Sequence, residues 1–275
     1  VPHALIAGAG DVGVRAGTLL AAAGWQVTGI RRAGPLPPPL CVVHADLTRP
    51  ETMAGLPDDI DLVLYLPAPS SRDEATYRAL FVDGPAALLA ALPRPPRRLV
   101  FVSSTAVHGD AGGDWVDERT PAQPDGFNGR VLLEAEQALA RLPVPSVAVR
   151  LAGLYGPGRG WLLSRVRAGE SCRPDFWTNR IHVDDAARLL VHLALLPAPE
   201  RVYIGVDDEP ATECAVLGWL AQQLGLPPPP AGPGNPRMGV GNRRLSNARI
   251  RATGFTFDYP DYRRGYAGLT GLPTA

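Results

Sequence analysis

Residues 4–13 run Ala-Leu-Ile-Ala-Gly8-Ala-Gly10-Asp11-Val12-Gly13, a short apolar strand that turns through three spaced glycines directly into a helix. No other feature constrains the fold as much. Gly8 suits the tight turn, Gly10 lets a backbone approach a diphosphate, and Gly13 lets the helix pack close to the strand. The helix then starts with unpaired N–H groups and the positive end of its dipole facing the turn, which favours an anion. Asp11, just before that helix, and Val12, its first residue, join Gly8, Gly10 and Gly13 as candidate binding positions. The pattern predicts a βαβ unit that takes a dinucleotide.

The same rhythm continues along the chain. A helix over 12–23 ends at Gly24, and Gln26–Ile30 reads as a second strand. Cys41–His44, Asp61–Leu66, Arg98–Ser103 and Ser146–Leu151 read as strands three to six. Helical stretches fall between them at about 73–92, with Asp83-Gly84-Pro85 as an interruption, and at 126–141. This alternation predicts an α/β fold, a doubly wound parallel Rossmann sheet with right-handed crossovers. Beyond Gly153 the pattern changes to helices over 162–168, 183–196 and 212–224, a short strand at 202–204, and a stiff Pro-rich connector over Leu226–Pro236. The expected division is therefore a dinucleotide-binding core over 1–152 and a smaller lobe over 153–275. That lobe is mostly substrate-binding, with some segments returning to the core.

The end of the second strand decides which dinucleotide is expected. NAD-binding units place an acidic residue there, about 20 residues past the glycines, to hold the ribose 2′-hydroxyl. Here the place is taken by Arg31 and Arg32. Paired guanidiniums bind a 2′-phosphate that a carboxylate would repel, so NADP(H) is expected over NAD(H), with NAD as the alternative. Asp46 and Leu47, just after the third strand, are two more candidate cofactor positions. The Asp46 carboxylate suits either the adenine amino group or the cap of its own turn.

Composition excludes several classes. The 27 basic and 27 acidic residues balance, so no general attraction to nucleic acid or anionic lipid is expected and the partner is a small molecule. No apolar run approaches membrane-spanning length, and the first residues carry no export signal. Cys41, Cys172 and Cys214 lie far apart, are odd in number and show no C-x-x-C spacing. They read as reduced thiols of a cytoplasmic protein, forming neither a disulfide frame nor a metal site. All 27 basic residues are arginine, so any mechanism that needs a lysine is closed to this chain.

Several segments in order carry a wider likeness: Gly8 to Gly13, Ala45-Asp46-Leu47, Phe101 to Gly109, Arg150 to Gly158, Asn179 to Asp185 and Val202 to Pro210. Together they make the chain resemble the short-chain dehydrogenase/reductase superfamily. Within it, the likeness is to the NAD-dependent epimerase/dehydratase-like proteins of the extended and atypical branches, over nearly the whole length. The resemblance implies that Ser104 orients a substrate hydroxyl, that the neighbouring Ser103 lies at the cofactor, and that helices near 73–92 and 126–141 pair in a homodimer.

The family's acid/base is a tyrosine followed four residues later by lysine, which lowers the phenol from its usual pKa of about 10. In this chain the segment reads Phe127-Asn128-Gly129-Arg130-Val131-Leu132, with neither residue in place. Arg130 stays protonated but is able to hold a ribose or phosphate. Two other proton carriers are candidates. His108 titrates in the useful range or packs in its turn, and Tyr155 lies in the Leu-Tyr-Gly-Pro loop after strand six. Arg159, Arg180, Arg243 and Arg244 are possible grips for an anionic substrate. The sequence thus supports an NADP(H)-dependent epimerase, dehydratase or reductase acting through Ser104, His108 and Tyr155 on a small or nucleotide-linked hydroxyl or carbonyl substrate. The missing pair supports the other reading, a non-catalytic NADP(H)-binding sensor or regulatory protein.

Overall fold

A computed structural model describes residues 1–235 and 241–269. Pro236, the last residue of the Pro-rich connector, lies outside them. The chain forms two compact units. Among the described residues the first comprises 1–107, 126–150 and 187–203, and the second comprises 108–125, 151–186, 204–235 and 241–269. Neither unit is continuous in sequence.

The first unit is built on seven strands: β1 (His3–Ala7), β2 (Gln26–Arg31), β3 (Cys41–His44), β4 (Ile60–Tyr65), β5 (Arg98–Ser104), β6 (Ser146–Leu151) and β7 (Val202–Gly205). They lie side by side in the order β3-β2-β1-β4-β5-β6-β7. The pairs β1–β2, β1–β4, β2–β3 and β4–β5 are parallel. This is a doubly wound Rossmann sheet. The short strand expected among the second-lobe helices is β7, an edge strand of this sheet.

Residues of β1 and β4 are buried throughout, as the apolar runs Ala4–Ala7 and Leu62–Tyr65 require of strands covered on both faces, and the two polar members pair, the His3 amide donating to Asp61. Register aligns the strand ends: Ala7 pairs with Ile30 and with Tyr65, and Arg31 with His44. The turns after β1, β2, β3 and β4 consequently leave one edge of the sheet together.

Helix α1 (Asp11–Ala22) starts at Gly10 with no side chain capping its N-terminal amides. The run after β4 is helical from 74 to 91, as α2 (Glu74–Tyr77), a π turn (Arg78–Asp83) and α3 (Gly84–Ala91). The expected break at Asp83-Gly84-Pro85 does not occur. Pro85 stands in the first turn of α3, directly after the π turn, and the Leu80 carbonyl five residues before it accepts from the Tyr65 hydroxyl. The irregularity lies one turn earlier, in the π segment.

Helix α4 (Phe127–Leu139) buries Val131, Leu132, Ala135 and Leu139. It also brings Glu136 to Arg150 of β6, where the guanidinium donates through Nη2 at 2.7 Å and through Nε at 3.1 Å. Both side chains are under a tenth exposed, so each charge requires the other.

The second unit holds α5 (Trp161–Arg167), the first turn of α6 (Val183–Leu195), α7 (Glu213–Gln223), α8 (Ala248–Ala252) and α9 (Tyr262–Ala267). Its core gathers Tyr155, Leu163, Val166, Val216, Leu220 and Tyr266 among others. Cys172 and Cys214 form a disulfide, with their Cα atoms 5.0 Å apart. This overturns the expectation of three reduced thiols and removes the basis for the cytoplasmic location drawn from it. The partners are 42 residues apart in sequence, and an odd count does not prevent the fold from pairing two of three. Cys41 remains an exposed thiol. Among the described residues no helix is long and apolar enough to cross a membrane.

Candidate functional site

The four turns at the sheet edge of the first unit line a cleft of about 410 Å³. Gly8, at φ +98°, makes the first turn, and a Cβ there would stand 2.6 Å from the Cα of Pro67 and 2.7 Å from the Leu66 carbonyl. Only glycine fits. A Cβ on Gly13 would meet the Gly8 carbonyl at 2.8 Å, the close helix-to-strand approach that its spacing predicts. By contrast, a Cβ on Gly10 would meet nothing within 4 Å, which leaves open space at the uncapped start of α1. Bare helix amides, room beside them and a glycine cradle suit the diphosphate of a dinucleotide.

Of the sequence candidates, Gly8, Gly10, Arg31, Arg32, Asp46 and Leu47 line this cleft. Arg31 is half-buried and bends back, its Nη1 donating to the Pro35 carbonyl at 2.7 Å. Arg32 is exposed. Asp46 takes the capping role: its Oδ1 accepts from the backbone and hydroxyl of Thr48, and these hydrogen bonds, with Arg32 and Arg49 nearby, hold the carboxyl below the ordinary range. Sequence patterns did not reveal the opposite wall, which includes Leu66, Pro67, Thr76 and Leu80. The signal available for it was position alone, since these residues follow β4 as Arg31 and Arg32 follow β2.

Other candidates lie off the lining. Asp11 bonds Arg15 one turn on, at 2.8 Å, while Val12 and Gly13 face the packing side of α1 and are buried. The Ser103 hydroxyl donates to Glu136 at 2.6 Å and so joins the Glu136–Arg150 network. The Ser104 hydroxyl accepts from the Ala106 amide at 3.1 Å, opening the short 3₁₀ turn Thr105–Val107. Arg130 is exposed on α4.

In the second unit His108 is buried. Tyr155 is buried as well: it stacks on Tyr266 with ring centroids 4.8 Å apart and donates to the Asp261 carbonyl at 3.2 Å. Burial, reinforced by Asp207, pushes its phenol far above the ordinary range. The hydroxyl is therefore a weaker acid than an ordinary phenol. Tyr155 also lines a second cavity, about 370 Å³, enclosed by residues of this unit alone.

Residues 4–205 match the NAD dependent epimerase/dehydratase family. The chain belongs to that family. YeeZ of Escherichia coli K12 is 35% identical over 274 residues, spanning 93% of this chain and 96% of YeeZ. An epimerase/dehydratase-family structure from Methylobacillus flagellatus has 37% identity and a TM-score of 0.81, covering 98% of this chain and 97% of its own. MoeE5, solved with UDP-glucuronic acid and NAD, has 25% identity and a TM-score of 0.78 over 96% of both chains. A nicotinamide dinucleotide is the cofactor of this family, and the cleft of the first unit fits one.

For an epimerase/dehydratase-family protein the acid/base position is altered in a specific way. Phe127 packs edge-on against Tyr77, with centroids 5.4 Å apart, and Val131 is 1% exposed in the core. The segment Phe127 to Leu132, with Phe127 half-buried and Val131 and Leu132 buried, holds neither a tyrosine nor a lysine.

Proposed function

We propose that this protein is an NADP(H)-linked oxidoreductase that binds the dinucleotide in the cleft of its first unit and acts on a small-molecule hydroxyl or carbonyl. The observation that carries the cofactor choice is the pair Arg31 and Arg32 on the lining at the end of β2, where NAD-binding units carry a carboxylate. Arg32, exposed at that edge, is the residue assigned to the 2′-phosphate. Arg31 positions the following loop through Pro35.

When bound, the cofactor supplies the hydride chemistry. The protein's part is to orient and to exclude water. Gly8, Gly10 and the N-terminal amides of α1 hold the diphosphate, and Ser104 is the candidate for orienting the reacting oxygen. His108 and Tyr155 are the candidates for moving a proton.

The lack of a tyrosine and lysine over Phe127 to Leu132 favours a second reading, a protein that binds NADP(H) without turnover. Equilibrium titration with NADPH and NADH tests the cofactor assignment. Wild type is expected to prefer NADPH by about tenfold or more, and Arg32→Glu to lose that preference, as removal of a charge-assisted bond implies. Equal affinity for the two nucleotides in wild type overturns it. Steady NADPH oxidation across a carbonyl panel, diminished in Ser104→Ala, supports the enzyme. Tight binding with no turnover for any substrate supports the second reading.

A further inference from the structure

The segment that follows β2, Arg32-Ala33-Gly34-Pro35-Leu36, folds back against the strand it has just left. Leu36 is buried, and its seat is Gly29 within β2: a Cβ on Gly29 would collide with Leu36 Cδ1 and stand 2.8 Å from the Cβ of Ala9. Ala9 lies between Gly8 and Gly10, so the returning segment and the diphosphate turn rest on the same glycine. Gly34, at φ +82°, makes the reversal in a conformation that favours glycine.

Two side chains close the return. Arg31 and His44 are register partners at the ends of β2 and β3, and they reach consecutive carbonyls. Arg31 Nη1 donates to Pro35 at 2.7 Å, and His44 Nε2 donates to Gly34 at 3.0 Å. A carbonyl only accepts, so the imidazole carries a hydrogen on Nε2. His44 is exposed and lies off the cleft lining, whereas Arg32 and Ala33, at the start of the held segment, line it.

The hold matters because this wall carries opposing charges. Arg32 stands near enough to Asp46 to help keep its carboxyl low, and both residues line the cleft. A 2′-phosphate gains from the guanidinium and loses from the carboxylate, and both effects depend on distance. On a loose segment Arg32 would have to be ordered by the ligand, at an entropic cost that weakens binding. Fixing the Gly34 and Pro35 carbonyls meets that cost before the ligand arrives. A dinucleotide without the phosphate gains nothing from it.

We infer that His44 is a positioning residue for cofactor discrimination: with Arg31 and Leu36 it clamps residues 32–36 over β2 and so fixes Arg32 where a 2′-phosphate is met. The inference rests on the NADP(H) reading and adds to it a residue outside the cleft.

The test is equilibrium titration of the full chain with NADPH and NADH for wild type, His44→Leu and His44→Gln, substitutions at an exposed position that leave the core intact. His44→Leu removes the donor and is expected to lower the preference for NADPH over NADH by about threefold or more, the worth of one hydrogen bond, with NADH affinity unchanged. His44→Gln keeps an N–H near the Nε2 position and is expected to retain the wild-type preference. Adding His44→Leu to Arg32→Glu is expected to lower the preference no further than Arg32→Glu alone, because the histidine acts through that arginine. A wild-type preference in His44→Leu, no recovery in His44→Gln, an equal loss of NADH affinity, or effects of His44→Leu and Arg32→Glu that simply add overturns the inference and leaves the NADP(H) reading standing. A wild type without preference for NADPH overturns that reading and the inference with it.

Discussion

The Tyr65 hydroxyl donates to the Leu80 carbonyl at 2.5 Å, joining the last residue of β4 to the π turn of the next helical run. Tyr65 is fully buried, and a Cβ on Gly84 would stand 2.2 Å from its oxygen, so the helix has no room for a side chain there. The Leu80 side chain lines the nucleotide cleft, and the bond thereby links the sheet edge to the cleft wall. π turns of this kind occur where a group is inserted into a helix, and here the inserted group is the phenol.

Tyr65→Phe is expected to cost about 1–3 kcal/mol of stability, because the ring is kept while a buried hydrogen bond is lost. Urea denaturation measures it. A parallel NADPH titration should show weaker binding as the wall at Leu80 relaxes. Unchanged stability and affinity would mean that the π turn does not depend on the phenol.

The disulfide closes a long loop, since Cys172 and Cys214 are 42 residues apart. On the chain-entropy account such a link contributes about 3–4 kcal/mol, chiefly by restricting the unfolded chain. Denaturation of the oxidised protein should therefore have a clearly higher midpoint than that of the protein reduced with dithiothreitol, or of Cys172→Ser/Cys214→Ser. Coincident curves, with thiol labelling of all three cysteines in the untreated protein, would refute this.

Asp207 supplies a pH dependence of defined sign. Its Oδ2 is buried without a hydrogen-bond partner, and burial raises the carboxyl well above the ordinary range even though Arg180 opposes the shift. The folded state holds this proton more tightly than the unfolded chain. Stability from this group is thus fully present below the unfolded pKa of about 4 and is lost as pH rises towards the raised folded value. Asp207→Asn is expected to melt higher than wild type at pH 7–8, with the difference shrinking towards pH 4. A lower melting temperature for the variant at neutral pH would show that the Arg180 charge needs the ionised carboxylate. Glu213 acts in the opposite sense. Its hydrogen bonds from Arg173 and Arg165 outweigh burial and hold its carboxyl low, so its contribution is present above the ordinary carboxylate range and is lost on acidification.

Wherever a decision rested on neighbours in sequence, the chain alone determined it. Gly8, Gly10 and Gly13 specify a strand, a turn and a helix within ten residues, and the requirements that they meet are steric and local. The strands of the sheet were legible as apolar runs, and Arg31 and Arg32 as basic residues at a strand end. The absence of lysine is a property of the sequence that no fold alters.

Tertiary structure decided whatever depended on partners far along the chain. Nothing near Ser103 in sequence shows that α4 brings Glu136 to its hydroxyl. Cys172 and Cys214 read as separate thiols until α7 sets them side by side. Tyr155 shows in sequence neither its burial against Tyr266 nor its bond to Asp261. Residue type sets what a side chain is able to do, but hydrogen bonding, desolvation and charge balance depend on which groups the fold places within a few ångströms, and those groups come from segments that no local pattern connects.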